Sequence, residues 1–124
     1  MDRSCTYRDG AIAHVKGGPL AADLVGTVLF EGVTGGTMVK VTVCGLPPYS
    51  PAKDDKPQVG PHGFHIHEVG CCEVGDKENP FMKAGEHWNP DNQPHGNHAG
   101  DFPVLFSNNG YAHMCFFTDR FKPC

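Results

Sequence analysis

The sequence has no apolar run of membrane-spanning length and no uninterrupted stretch suited to a long helix. Sixteen glycines and eleven prolines break the 124 residues so often that the longest segment free of both runs only from Tyr111 to Lys122. That excludes an all-α fold. A basic excess is missing too: 10 Lys+Arg face 14 Asp+Glu, a formal charge of -4 with neutral histidines. Nucleic acid is therefore excluded as an electrostatic partner, and no membrane partner is expected. The opening residues, Met1 to Asp9, lack a hydrophobic segment behind a basic one. As written, the chain is expected to be soluble and cytoplasmic. It contains no internal repeat and no CxxC pair. Its six cysteines (Cys5, Cys44, Cys71, Cys72, Cys115 and Cys124) follow no framework spacing, which leaves their disulfide pairing open. The length suits one domain spanning residues 1–124.

What the chain does have is alternation. Ala11, Ala13 and Val15 take one side of a first segment, with Ile12, His14 and Lys16 opposite. Leu24 to Glu31 is rich in β-formers and includes Gly26, a bulge or a point of close approach. Thr37 to Val43 sets three valines against Met38, Lys40 and Thr42, and Gly32 to Gly36 reads as the hairpin turn before it. A polar loop with five prolines, Pro47 to Pro61, separates these strands from a fourth, His62 to Glu68. Two more strands, Asp101 to Ser107 and Tyr111 to Thr118, flank Asn108-Asn109-Gly110, a strong hairpin signal. The expectation is an all-β antiparallel sandwich or barrel of about six strands. Cys44 and Cys115 fall in strand segments, where buried, unreactive thiols are expected.

Eight histidines are the compositional anomaly. His65 and His67 stand two apart on the fourth strand, so both imidazoles share one face while Phe64 and Ile66 take the other. That places two nitrogen donors on a stiff support. The irregular stretch from Val69 to Gly100 is too long for an ordinary loop in a small domain. It contains His87, His95 and His98, and Asp101 follows directly. Three imidazoles and a carboxylate are a set that tetrahedral Zn²⁺ accepts, and ligand bonds would supply the ordering energy that the loop's missing apolar core cannot. His14 is expected at the surface, and His113 lies on a strand remote from the His65–His67 pair.

From Gly60 to Asp119 the chain resembles the copper–zinc superoxide dismutases, particularly a bacterial branch. Gly63-Phe64-His65-Ile66-His67-Glu68 is similar to the family's copper-binding strand. Gly85-Glu86-His87-Trp88-Asn89-Pro90 is similar to the segment carrying the imidazole shared by both metals. Pro94-His95-Gly96 and His98-Ala99-Gly100-Asp101 resemble the zinc-ligand motifs. The resemblance implies a Greek-key fold with copper on His65, His67 and His87, and zinc on His87, His95, His98 and Asp101. His62 falls where the family has a buried, hydrogen-bonded supporting histidine.

The implied activity is conversion of superoxide to O₂ and H₂O₂ by a copper that alternates between two oxidation states. His87 is the implied catalytic residue: an imidazolate while it bridges, and a proton carrier when copper is reduced. The family continues for two further strands, which hold a fourth copper histidine, the arginine that orients superoxide and a bridging cysteine. As written, the chain ends at Cys124 before that region, so the expected fold is C-terminally truncated. Cys71 or Cys72 falls near the family's loop cysteine, with Cys124 or Cys5 as substitute partners. A homodimer covering the missing strands is expected. So is impaired activity, unless Arg120 and Lys122 fold back toward the site. The alternative is a zinc-stabilised copper-binding protein with little or no turnover.

Overall fold

Val39, Val41 and Val43 alternate along one segment, and all three are buried. Each fully buried valine side chain stabilises the fold by roughly 1.5–3 kcal/mol, enough to fix which face of the segment points inward. In the computed structural model, which describes residues 10–123, this segment is β3 (Gly36–Cys44). It pairs antiparallel on one side with β2 (Val25–Val33) and on the other with β4 (Ala112–Thr118). β1 (Gly10–Lys16) pairs with β2, giving one four-stranded sheet in the order β1-β2-β3-β4. Among the described residues the helical content is a single 3-10 turn, Met82–Ala84, and no helix is long and apolar enough to cross a membrane.

Register carries the valine face across the sheet. Val39 lies opposite Phe30 and Phe116, and Val41 opposite Val28 and Met114; these six side chains share the core. On β1 the expected inward set is Ala11, Ala13 and Val15, and they do pair with Phe30, Val28 and Gly26. Only Val15 packs against the core, however; Ala11 and Ala13, with a single methyl each on this edge strand, remain exposed. The β2–β3 turn is tighter than the Gly32 to Gly36 run suggests. Val33 pairs with Gly36 around Thr34-Gly35, and Gly35 has φ 84. Gly26 is a point of close approach, not a bulge: pairing is continuous through it, and a Cβ there would lie 2.2 Å from the Thr42 carbonyl oxygen.

The all-β, antiparallel class holds, but the sheet has four strands and not six. The stretches 62–68 and 101–107 form only isolated antiparallel bridges, His62–Leu105 and His65–Asp101. Two physical causes interrupt the ladder. Between those bridges one chain advances three residues and the other four, so one residue is bulged out, and Pro103 within that step has no N–H to donate. Beyond His65 the segment changes partner and bridges through His67 to His87 instead. These irregular segments nevertheless cover the sheet. Phe64 and Phe102 lie 5.0 Å apart by ring centroid, and Phe102 stands 5.1 Å from Phe116 on β4.

Chirality and parity also correct the cysteines. Cys44 follows Lys40 and Thr42 on the outward face of β3, and Cys115 lies opposite Lys40 on the same face, so both thiols are exposed and free. Cys71 is half-buried and Cys72 exposed, also unpaired among the described residues. Cys5 and Cys124 lie outside the described residues.

Candidate metal centre

Three chain segments meet at a closed ring of main-chain hydrogen bonds. Ile66 N–H donates to the Gly100 carbonyl at 2.9 Å, Gly100 N–H to the Trp88 carbonyl at 3.0 Å, and Trp88 N–H to the Ile66 carbonyl at 2.8 Å. Four of the six candidate ligands stand next to a ring member: His65 and His67 on either side of Ile66, His87 before Trp88, Asp101 after Gly100. Ile66 and Trp88 line a largely apolar groove with Phe30 and Phe121, and His67 and Glu68 border the same groove. Gly100 is required here. A Cβ on it would lie 2.6 Å from the Ile66 carbonyl oxygen and 3.2 Å from Trp88 Cβ.

The expected quartet converges. One ligand atom from each of His87, His95, His98 and Asp101 lies within 4.8 Å of all the others. His87 Nδ1 is 3.0 Å from Asp101 Oδ1, and His98 Nδ1 is 3.2 Å from Asp101 Oδ2. The two carboxylate oxygens have different work. Oδ2 accepts the backbone N–H groups of Gly96 (2.8 Å) and His98 (3.0 Å), which fold the 95–101 turn around it. Oδ1 and His98 Nδ1 are buried without a hydrogen-bond partner. Leaving two such atoms unsatisfied is expensive, and a cation between them removes that penalty. Three nitrogens and one oxygen also match the donor set of a tetrahedral zinc site, so these residues fit the metal.

Electrostatics point the same way. Burial alone would raise the Asp101 pKa, but the His98 and Gly96 N–H groups, with the His98 and His87 imidazoles, hold it below the usual carboxylate range. His65 is pushed below the ordinary histidine value by burial first and by neighbouring His87 second, against an opposing pull from Asp101.

His65 and His67 lie beside the quartet but do not join it. The His65 ring stacks on His87 with centroids 3.8 Å apart, and His67 meets His87 edge-on at 5.3 Å. His67 Nδ1 donates to the Gly85 carbonyl at 2.8 Å in the tautomer that leaves Nε2 free, and Glu68 Oε1 accepts the Glu86 N–H. Both contacts tie the His67 segment to the turn that carries His87. Neither could be anticipated from the order of residues, because each depends on the left-handed Gly85, φ 77. The other histidines are committed elsewhere. His62 Nε2 meets the Pro47 carbonyl at 3.0 Å, consistent with a supporting role, His113 bonds Thr42 at 2.9 Å, and His14 is exposed on β1.

The tail after β4 does fold back. Thr37, fully buried, donates to the Phe121 carbonyl at 2.7 Å, and Phe121 packs edge-on against Trp88. Arg120 thereby reaches the 95–98 turn, while Lys122 remains exposed. Between tail, turn and β4 lies a cavity of about 680 Å³ bounded by His65, His95, Phe116, Phe117 and Arg120.

An all-β scaffold that gathers three histidines and an aspartate, with two more histidines packed against His87, has the donor groups of a metal-binding protein. The model of one family, described as copper/zinc superoxide dismutase, matches residues 24–123, and the chain belongs to that family. Similar proteins include the Cu-Zn superoxide dismutase of Brucella abortus, 36% identical over 93 residues that make up 68% of this chain and 47% of that protein. The Cu-Zn superoxide dismutase of Drosophila miranda is 42% identical over 85 residues, 64% of this chain and 62% of its own length. The chain thus spans about half the length of its Brucella relatives.

Proposed function

We propose that the chain is a superoxide-dismutating unit with zinc held by His87, His95, His98 and Asp101 and copper by His65, His67 and His87. The observation that carries this reading is the quartet of converging ligand atoms, in which Asp101 Oδ1 and His98 Nδ1 are buried and otherwise unsatisfied. When bound, copper supplies the one-electron chemistry that turns two superoxide anions into O₂ and H₂O₂, and zinc supplies charge and order.

The protein's own part follows from the geometry. His87 Nδ1 faces Asp101 Oδ1 at 3.0 Å, inside the quartet, so that Nε2 points away from it. His87 is therefore the group placed to hold a proton at Nε2 and pass it to departing peroxide. The Gly85 carbonyl orients His67, and the stacked His65 closes the opposite side. The cavity beside His65 is wide enough for a diatomic anion, and Phe116 and Phe117 give it partly apolar walls. An apolar groove along Ala11, Phe30, Trp88 and Phe121 is the surface that a second copy would cover in a homodimer.

The test is superoxide decay after pulse radiolysis in the presence of copper- and zinc-loaded protein, with His87→Ala as control. Acceleration by the wild type and none by the variant is expected; equal decay with both overturns the reading. A second reading, zinc-stabilised copper binding without turnover, rests on the three imidazoles of His65, His67 and His87, a set that suits Cu⁺ with its low coordination better than tetragonal Cu²⁺. The Cu²⁺ electron paramagnetic resonance spectrum separates the two. A tetragonal signal supports the enzyme, whereas retention of Cu⁺ alone supports the carrier.

A further inference from the structure

We propose that Arg120 is a positioning residue that clamps the 95–98 turn, so that zinc affinity depends on a side chain that never touches the metal. The inference rests on the zinc reading above and extends it to the tail. Arg120 Nη2 donates to Asn97 Oδ1 at 2.7 Å, and Nη1 donates to the His98 carbonyl at 3.2 Å. That carbonyl also accepts the Asp101 N–H at 3.0 Å, and the His98 N–H is held by Asp101 Oδ2. The guanidinium thus holds the carbonyl side of His98, whose N–H side is held by a ligand, and its other acceptor, Asn97, lies between His95 and His98.

Arg120 is itself anchored. Its N–H meets Thr118 Oγ1 at 3.3 Å, and the next residue, Phe121, is held by buried Thr37 and packed on Trp88. The clamp therefore connects the turn to β3 and β4, which are fixed by the core whether or not a metal is present. Without it, the turn is tied mainly to itself: Asn97 N–H bonds the Pro94 carbonyl, and His95, Gly96 and Asn97 are exposed. A lysine could not replace the arginine. Two acceptors are engaged at once by two nitrogens of one planar fork, which a single ammonium on a flexible stem does not reproduce. Groups that orient metal ligands from outside typically alter affinity by about 10–100-fold, and the exposure of Arg120 places it at the lower end.

The experiment measures the Zn²⁺ dissociation constant by competition with a chromogenic chelator. It also records the d–d absorption of the Co²⁺-substituted protein and the melting temperature of the metal-free protein. Wild type, Arg120→Ala, Arg120→Lys, Asn97→Ala and Asp101→Ala are compared. Arg120→Ala is expected to weaken zinc binding about tenfold and to alter the cobalt band, with Arg120→Lys restoring only part of the affinity. Asn97→Ala should move both readouts in the same direction, and the metal-free melting temperature should stay put. Unchanged affinity and an unchanged cobalt band in Arg120→Ala overturn the clamp. So does a fall in metal-free stability large enough to account for the whole loss of affinity. If Asp101→Ala abolishes binding while Arg120→Ala does not affect it, only the clamp has failed. If Asp101→Ala also binds zinc as wild type does, the metal site fails and the clamp with it.

Discussion

Gly100 and Ile66 approach so closely that a methyl group on Gly100 would lie 2.6 Å from the Ile66 carbonyl oxygen, in the same contact where Ile66 N–H donates to Gly100. The obstacle is backbone and cannot swing aside. Gly100→Ala should therefore destabilise the protein by about 1–3 kcal/mol, as overpacking of a rigid site does. It should also weaken zinc binding, because the three segments carrying the ligands would be pushed apart. Urea unfolding of metal-free protein together with zinc titration checks both effects; an unchanged midpoint would show that the segments can yield.

Asp101→Ala should remove the stabilisation that zinc confers. A ligand present at about 100 times its dissociation constant raises stability by about 2.7 kcal/mol, and that increment is what the variant should lose. Differential scanning calorimetry with and without saturating zinc measures it. A melting temperature equal to wild type in saturating zinc would contradict the assignment.

His65→Ala should abolish copper binding and leave zinc in place, since His65 lies outside the quartet. His87→Ala should disturb both metals, because that ring stands between the two groups of histidines. Metal content per chain after dialysis decides the matter. Equal loss of copper and zinc from His65→Ala would refute this division.

Metal-free protein should lose stability as pH falls. The folded pKa of His65 lies below its ordinary value of 6.5, so between those two points the unfolded chain binds more protons and stability rises with pH. The Asp101 carboxyl is also depressed, and its contribution is fully present above the ordinary carboxylate value of 3.8 and is lost as pH falls through the lower folded value. Denaturant midpoints should therefore decline from pH 7.5 to 5.5, and His65→Ala should flatten that decline. An equal slope in the variant would assign the effect to other groups.

Much of this was legible in the residue order, and the reason is periodicity. The valines of β3 announce a half-buried strand, Asn109-Gly110 announces a turn that both residues then adopt with positive φ, and His65 and His67 must share a face on any extended segment. Ligand spacing brought out the quartet, because His95, His98 and Asp101 lie within one turn of chain. Other features depend on distant contacts that carry no local signal. The loss of two regular strands follows from a bulge at Pro103 and a change of partner after His65. The exposure of Cys44 and Cys115 follows from strand parity overriding the usual tendency of cysteine to be buried. Arg120 is near the metal turn only because Thr37, 84 positions away in sequence, holds Phe121.

The ring through Ile66, Trp88 and Gly100 is made of peptide groups alone. Apart from the need for glycine at one corner, it is indifferent to which side chains flank it. For the histidines that flank it, His65, His67 and His87, placement and chemical identity are thereby separable properties. A lineage, or a designer, could exchange one flanking donor for another of similar reach and so alter metal preference without redrawing the scaffold.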